Sequence, residues 1–373
     1  MKILVIGAGP AGLMFSYMVK LLDHHHKVTI LERGDEKAKK GWGITLPQHA
    51  FDLLLEWCPK FRPFLPKVAI SSYHVNLNDR NICTVSNLKM YGISRNKFLR
   101  HLKKLCLSSG VVFHFNKEAR DINSIQDKYD LIVGADGVHS TLRSENSALF
   151  GAKTGFGKNK FIWLAVNKNL KGLKLSFREY NAQLFIIWSY PYSAKMSTVI
   201  IECSEKVWKN LKLNKHSLPE NCKILSRIFK NELNGHLLRY LPKTQWQSFP
   251  VVTNQHWFYK NMVLIGDALH TAHFSVGQGT HLAVVDAIQL ALALQKKLVK
   301  AALQEFERTR KPQVLEIQNL SFAGMSWFEK IFEKFDSTNE MKLLEEIKKQ
   351  FTQRLINFNN NQKTLFSKQV ENL

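Results

Sequence analysis

Apolar residues recur along this chain at two different periods, and the changes of period mark its elements. Lys2-Ile3-Leu4-Val5-Ile6 is a short continuous apolar run of strand type, and beyond Gly12 the residues Leu13, Tyr17 and Leu21 fall on related helical faces. Lys27-Val28-Thr29-Ile30-Leu31 predicts a second strand. Between Val68 and Tyr91 the pattern shifts to alternating short strands, followed by a helix over 96–107 and a strand over 111–115. Asp130-Leu131-Ile132-Val133-Gly134 reads as a further buried strand. Aromatic and β-branched runs at 160–166, 184–190 and 196–203 predict a separate β-sheet from Phe156 to Phe249. Residues 262–265 predict another buried strand and Thr280 to Leu298 a helix, while the tail from Ala301 is helical and charged, fading after Asn357. Strands and helices mixed in this order predict an α/β (mixed α+β) fold. A chain of 373 residues exceeds one usual core, so two domains are expected, and without an internal repeat or a long low-complexity linker they should be interwoven.

The first strand, turn and helix carry Gly7-Ala8-Gly9-Pro10-Ala11-Gly12. Gly7 permits the tight turn, Gly9 lets backbone approach a pyrophosphate with no Cβ in the way, and Gly12 lets the helix pack closely on the strand. The helix start beyond Pro10, from Ala11 on, offers free N–H groups to phosphate, with Pro10 itself presetting the first turn. Glu32 ends the second strand about twenty residues beyond the last glycine, where a carboxylate accepts hydrogen bonds from an adenosine ribose and disfavours a 2′-phosphate. Arg33 follows it as a further cofactor-binding candidate. Such a turn alone also serves NAD enzymes.

Composition narrows the setting. No run of 18 or more apolar residues occurs, and the N-terminus enters a strand without the regions of a signal peptide, so a cytoplasmic protein without stable membrane insertion is expected. The five cysteines, Cys58, Cys83, Cys106, Cys203 and Cys222, lack CxxC spacing, which indicates neither a disulfide framework nor a zinc site. Net charge is +23, with lysine about threefold in excess of arginine and spread along the whole length. This reads as a solvated basic surface or as help in drawing in anionic ligands such as a CoA thioester. No nucleic-acid-binding motif accompanies it. His24-His25-His26 reads as an exposed loop, and no metal site is expected.

Two further segments complete a pattern. Asp136-Gly137-Val138-His139-Ser140-Thr141-Leu142-Arg143 fits DGxxSxxR, and Gly266-Asp267-Ala268-Leu269-His270 fits GDAxH. With all three segments in this order, residues 1 to 330 resemble the flavin-dependent aromatic hydroxylases of the para-hydroxybenzoate hydroxylase family. The resemblance implies an FAD-binding domain over 1–70, 95–155 and 251–300, interleaved with a β-sheet substrate domain formed by an excursion at 71–94 and by 156–250, and a C-terminal helical segment over 301–373. It implies that Asp136 serves FAD pyrophosphate and pyridine nucleotide, that Asp267 accepts from a ribityl hydroxyl, and that Arg95 lies near the ribityl or phosphates. In the family the backbone after a GxG turn holds the flavin C2 carbonyl; here the turn is Gly277-Gln278-Gly279, followed by Thr280 and His281. The chain departs from the family at Phe274, usually proline, and at His281, usually asparagine.

Gly41-Trp42-Gly43-Ile44 resembles the GWG loop of the violacein-pathway hydroxylase and of the flavin domains of salicylyl-CoA and 2-aminobenzoyl-CoA hydroxylases, where it lies along the isoalloxazine. The CoA enzymes carry a second catalytic domain, so by size the chain is closer to the violacein-type enzyme. Trp163, Trp188 and Phe274 are candidate walls of an aromatic pocket, as are Tyr190 and Tyr192. The resemblance implies an NAD(P)H-consuming monooxygenase that uses FAD and O2 to hydroxylate an electron-rich aromatic, either an indole or tryptophan-derived compound or an aromatic CoA thioester, through a flavin C4a-hydroperoxide. The alternative is a flavin-dependent reductase or dehydrogenase without oxygen insertion. No catalytic base is assigned, His49 or a pocket tyrosine being the candidates, and a monomer or homodimer acting on a small aromatic substrate is expected.

Overall fold

Two kinds of strand separate the molecule into two sheets. The computed structural model describes residues 1–39, 41–62 and 67–351, so the expected fading of the tail after Asn357 lies outside the described residues. From the N-terminus, β1 (Lys2–Ile6) leads into α1 (Pro10–Leu22) and β2 (Lys27–Glu32), and β3 (Gly43–Pro47) into α2 (Gln48–Trp57). A hairpin of β4 (Lys67–Leu77) and β5 (Arg80–Ser94) precedes α3 (Arg95–Ser108), β6 (Val112–Phe115) and α4 (Ile122–Ile125). Next come β7 (Leu131–Gly134), α5 (Thr141–Glu145), α6 (Ser147–Phe150), β8 (Ala152–Val166), β9 (Leu173–Tyr180), β10 (Gln183–Pro191) and β11 (Ser197–Cys203). Then follow α7 (Glu205–Asn210), α8 (Leu218–Ile228), β12 (Leu238–Arg239), β13 (Gln247–Asn254), β14 (Phe258–Tyr259) and β15 (Met262–Leu264). The helices α9 (Gly279–Lys296) and α10 (Val299–Glu333) and a helical stretch over 340–351 follow.

The six-stranded sheet has the order β14-β15-β7-β1-β2-β6, parallel except for β14. Its central strands are covered on both faces, which is why Ile3 to Ile6, Leu131 to Val133 and Met262 to Leu264 are continuously apolar and buried. Helix α1 buries Ala11 through Val19 against it, and α9 buries most of Leu282 through Ala291. The other sheet runs β12-β8-β11-β10-β9-β4-β5-β3, with β13 also on β8.

The segment from Val68 to Tyr91, expected as several short strands, is one long hairpin. Asn78 (φ 47°) and Asp79 (φ 55°) form its two-residue turn in the left-handed region that favours such hairpins. Arg178 secures the turn through Asp79 and also pairs with Glu232. The many polar residues on the hairpin hide its length from a hydrophobicity pattern. The sheet expected from Phe156 to Phe249 begins at Ala152 and takes in β3, β4 and β5 from earlier in the chain, because β4 joins β9 in parallel. Helix α10 ties the two layers together. Its first half, with Leu303, Phe306 and Val314, packs into the core around the parallel sheet, whereas Phe328, Ile331 and Phe332 pack into the core of the other.

Candidate functional site

The carboxyl ends of β1, β7 and β15 lie side by side, and each is followed by one of the three sequence segments. That is the edge of an open parallel sheet where ligands bind. Gly7 has φ +103°, and a Cβ there would strike the Ala135 carbonyl oxygen; a Cβ on Gly12 would strike the carbonyl oxygen of Gly7. The first and second segments are joined by Ala135 N–H donating to Ile6 O at 2.8 Å, and Ile265 N–H donates to Gly134 O at 2.9 Å. Arg143 links the second segment to the third, donating to Ala268 O at 2.8 Å and to Val138 O. Ser140 caps α5, and Asp136 Oδ2 accepts from Thr141 N–H at 2.7 Å while its Oδ1 is buried without a hydrogen-bond partner. Burial pushes the Asp136 carboxyl up.

Glu32 is buried and already shapes the turn, accepting from Ala8 N–H at 2.8 Å and Gly34 N–H at 2.7 Å. Arg33 beside it is exposed. Helix α1 starts at Gly9 and Pro10 without a side-chain cap on its first-turn N–H groups.

Asp286 was not among the sequence-derived site residues, yet it anchors the third segment. Fully buried on α9, it accepts from Gly266 N–H at 3.0 Å, His270 Nε2 at 2.8 Å and Arg310 Nε at 2.9 Å. Burial pushes its carboxyl up, but His270 and Arg310 outweigh that and hold it at about 2. The Gly266 N–H is therefore committed within the protein. Only the helical spacing that places Asp286 on the buried face of α9 hinted at this role.

Asp267 points the other way. Its side chain is accessible to solvent although protein crowds it on most sides, and burial pushes its carboxyl up against the opposing charge of Arg95. Arg95 opens α3, where its N–H donates to Trp42 O at 2.9 Å, and its guanidinium interacts with Asp267 and Tyr190. The GWG loop is thereby pinned beside the cleft. Gly43 donates to Thr198 Oγ1 at 2.9 Å and accepts from Tyr190 Oη at 3.0 Å, with the Tyr192 ring filling the space a Cβ would need. Trp163 packs where a Cβ on Gly41 would fall, and the indole nitrogens of Trp42 and Trp163 are buried without hydrogen-bond partners.

The turn before α9 has Gly277 in the left-handed region (φ +63°) and Gln278 at the helix start, with no side-chain cap over the N–H groups that follow. His281 Nδ1 contacts Gln278 Oε1 at 2.6 Å, leaving its buried Nε2 without a hydrogen-bond partner. His49, in the first turn of α2, meets His281 edge-on at 4.9 Å between ring centroids. Burial lowers the pKa of both, that of His49 to about 4. Phe274 reaches away from this turn to Phe161 (5.0 Å) and Trp188 (6.2 Å), so two of the sequence-named pocket walls, Phe274 and Trp188, do meet. His270, His273 and His281 do not converge on one point, since they contact Asp286, Ser275 and Gln278 respectively. In the His24-His25-His26 segment His24 and His25 are exposed while His26 is half-buried against the N-terminus, and Asp23, His24 and His25 bring ligand-type atoms within 4.8 Å of one another.

These features fit a dinucleotide carrying a redox ring: two helix starts without side-chain caps, an Arg95–Asp267 pair facing a cleft, and indole and imidazole nitrogens left without hydrogen-bond partners beside it. The chain belongs to the FAD binding domain family, whose pattern matches residues 111–319. It is an FAD-dependent aromatic monooxygenase using O2, with the NAD(P)H reductant typical of that family. It is 33% identical over 343 residues to protodeoxyviolaceinate monooxygenase of Chromobacterium violaceum, covering 90% of each protein. It is 30% identical over 345 residues to salicyloyl-CoA 5-hydroxylase of a Streptomyces species, covering 88% of this chain and 65% of that protein. Its fold matches the tetrameric form of 2-methyl-3-hydroxypyridine-5-carboxylic acid oxygenase with TM-score 0.73 at 20% identity, over 89% of this chain and 92% of the other. These relationships support oxygen insertion and give no support to the reductase alternative. No helix among the described residues is long and apolar enough to cross a membrane.

Proposed function

We propose that the three converging segments hold FAD, and that the enzyme hydroxylates a small electron-rich aromatic, an indole-type compound or an aromatic CoA thioester, at the face of the β-sheet opposite the GWG loop. The observation that carries this reading is the meeting of the uncapped starts of α1 and α9 with Arg95 and Asp267 at one sheet edge. Gly7, Gly9, Pro10, Ala11 and Gly12 would receive the pyrophosphate, Glu32 and Arg33 the adenosine end, and Asp136, Arg95, Gly266 and Asp267 the ribityl and phosphate region. Gly277, Gly279, Thr280 and His281 would meet the reactive ring, with Trp42 and Gly43 along it. When bound, FAD would carry two electrons from the nicotinamide to O2, one oxygen atom of which enters the substrate ring while the other leaves as water.

The chain's own residues set the conditions for that chemistry. The N–H groups at the start of α9 favour negative charge beside them, through the helix dipole and direct hydrogen bonding. Trp163, Trp188 and Phe274 form an apolar wall that excludes water and holds a planar ring. His49 stays neutral at pH 7; with a pKa of about 4 it suits accepting a hydrogen bond better than taking a phenolic proton. The domain division at 1–70, 71–94, 95–155, 156–250, 251–300 and 301–373 belongs to the same proposal. Four buried thiols and one half-buried, all unpaired, fit a reducing cytoplasm, where we place the enzyme as a monomer or homodimer.

The test is aerobic NAD(P)H oxidation by the purified protein with indoles and aromatic CoA thioesters, with product masses measured. A gain of one oxygen atom is the expected result. Oxidation with no oxygenated product from any of them would overturn the reading. Asp267→Ala should weaken FAD retention, and unchanged flavin content would remove its assigned role.

A further inference from the structure

One buried carboxyl near the β-sheet wall has no structural duty that accounts for both its oxygens. Glu202 lies on β11 between Phe161 of β8 and Ile186 of β10, and it is 1% exposed. Its Oε1 accepts from Asn159 Nδ2 at 2.6 Å. Its Oε2 is buried without a hydrogen bond of good geometry; the Trp188 indole N–H, which has no other acceptor, approaches the carboxyl and favours its charged form. A poorly satisfied buried polar atom is costly, so a donor better placed than the Trp188 indole would bind there favourably.

The surroundings say what kind of partner fits. Glu202 lines a narrow, partly open pocket together with Asn159, Phe161, Phe249, His273 and Met325. Phe161 and Phe249 both lie against Phe274, at 5.0 and 6.2 Å between centroids, and Phe274 leads directly into the Gly277 turn where the reactive ring is placed. The walls are aromatic but the free space, about 10 Å³, is that of one water, so a flat ring enters only if Met325 on α10, an unbranched and adaptable side chain, gives way. Anions are disfavoured at this end: Glu329 on α10 also lines the pocket, its Oε1 engaged by Lys158 N–H at 2.7 Å, and its charge pushes the Glu202 carboxyl up further after burial has done so. The sequence showed Glu202 only as one residue in a strand run, because its partners Asn159 and Glu329 arrive from distant segments.

We propose that Glu202 selects and orients the substrate, its Oε2 accepting a hydrogen bond from an N–H or O–H group carried by the aromatic ring and so fixing which carbon faces the flavin. This assignment rests on the hydroxylase reading above. It narrows the substrate class to aromatics whose buried end bears a hydrogen-bond donor and no negative charge. A CoA thioester is compatible only with its anionic portion directed away from this pocket.

The experiment compares 3-methylindole with 1,3-dimethylindole, which differ in the ring N–H, by quenching of tryptophan fluorescence on the purified full chain. FAD content and product mass are measured on the same preparations. At pH 8.5, where a carboxyl with a pKa of about 7 is ionised, wild type should bind the N–H probe about 10- to 100-fold tighter, the range for a hydrogen bond to a charged acceptor. Glu202→Met should bring the two within about twofold, and Glu202→Gln, which keeps an acceptor, should retain part of the preference. Equal binding of the two probes by wild type, absence of binding by the N–H probe, or a preference that survives in Glu202→Met would each overturn the assignment. If Glu202→Met does not fold, the wild-type ratio and Glu202→Gln decide it. A yellow protein that inserts oxygen but shows no N–H preference refutes the role of Glu202 alone. A colourless protein refutes the flavin reading, while the fluorescence ratio still decides Glu202.

Discussion

Replacing Asp286 by alanine removes one acceptor on which three groups converge: Gly266 N–H, His270 Nε2 and Arg310 Nε. Arg310 and Asp286 are both fully buried, so the variant strands a guanidinium in the core with Gln313, at 2.8 Å, as its remaining hydrogen-bond partner among the described residues. Breaking a buried pair from one side costs about 3–5 kcal/mol. A second route gives a compatible lower figure. The carboxyl is held at about 2 against an ordinary 3.8, and that shift corresponds to about 2 kcal/mol of stability. This contribution is fully present above pH 3.8 and is lost as pH falls through 2. Calorimetry should therefore show a Tm lowered by roughly 5–10 °C in Asp286→Ala at pH 7. Because Gly266 N–H loses its anchor, FAD content should fall as well. Asp286→Asn keeps an acceptor and should lie between the two proteins. A Tm within about 1 °C of wild type, together with unchanged flavin content, would refute the claim that this network holds the third segment in place.

Other expectations follow from the same geometry. Gly12→Ala places a methyl group against the Gly7 carbonyl oxygen, a backbone atom that cannot rotate away, so it should cost about 1–3 kcal/mol and lower flavin content; full FAD retention at unchanged Tm would contradict the close packing. Glu202 has its carboxyl pushed up to about 7 from 4.5, so the folded state holds the proton more tightly, and stability present below pH 4.5 is lost as pH rises through 7. The loss should be about 3 kcal/mol in urea titrations and should vanish in Glu202→Gln; an equal decline in both proteins would exclude Glu202 as its source. His49 has the opposite sign: burial depresses it from 6.5 to about 4, so its contribution is present above pH 6.5 and is lost as pH falls through 4. His49→Phe should accordingly lose less stability than wild type between pH 7 and pH 4, in the window set by that shift, and parallel curves would count against a buried neutral imidazole.

The sequence by itself determined what depends on neighbours along the chain. A strand, a glycine turn and a helix start are local arrangements, so the turns at Gly7 to Gly12, in the DGxxSxxR segment and at Gly277 are legible in the sequence as strand ends leading into helix starts, as is the alternation of sheet and helix. What only the tertiary structure decided depends on partners far apart in the chain. The hairpin at 67–94 was read as short strands because its length is set by pairing to β9, and the helical face of α9 gave no sign that Arg310, 24 residues on, would meet Asp286. Glu202 looked like any residue of a strand. Folding decided its character, by burying one carboxyl oxygen against Asn159 and leaving the other in an aromatic pocket with only the poorly placed Trp188 indole N–H near it among the described residues. Burial and pairing are properties of the packed chain, and a one-dimensional pattern carries them only where the partners happen to be local.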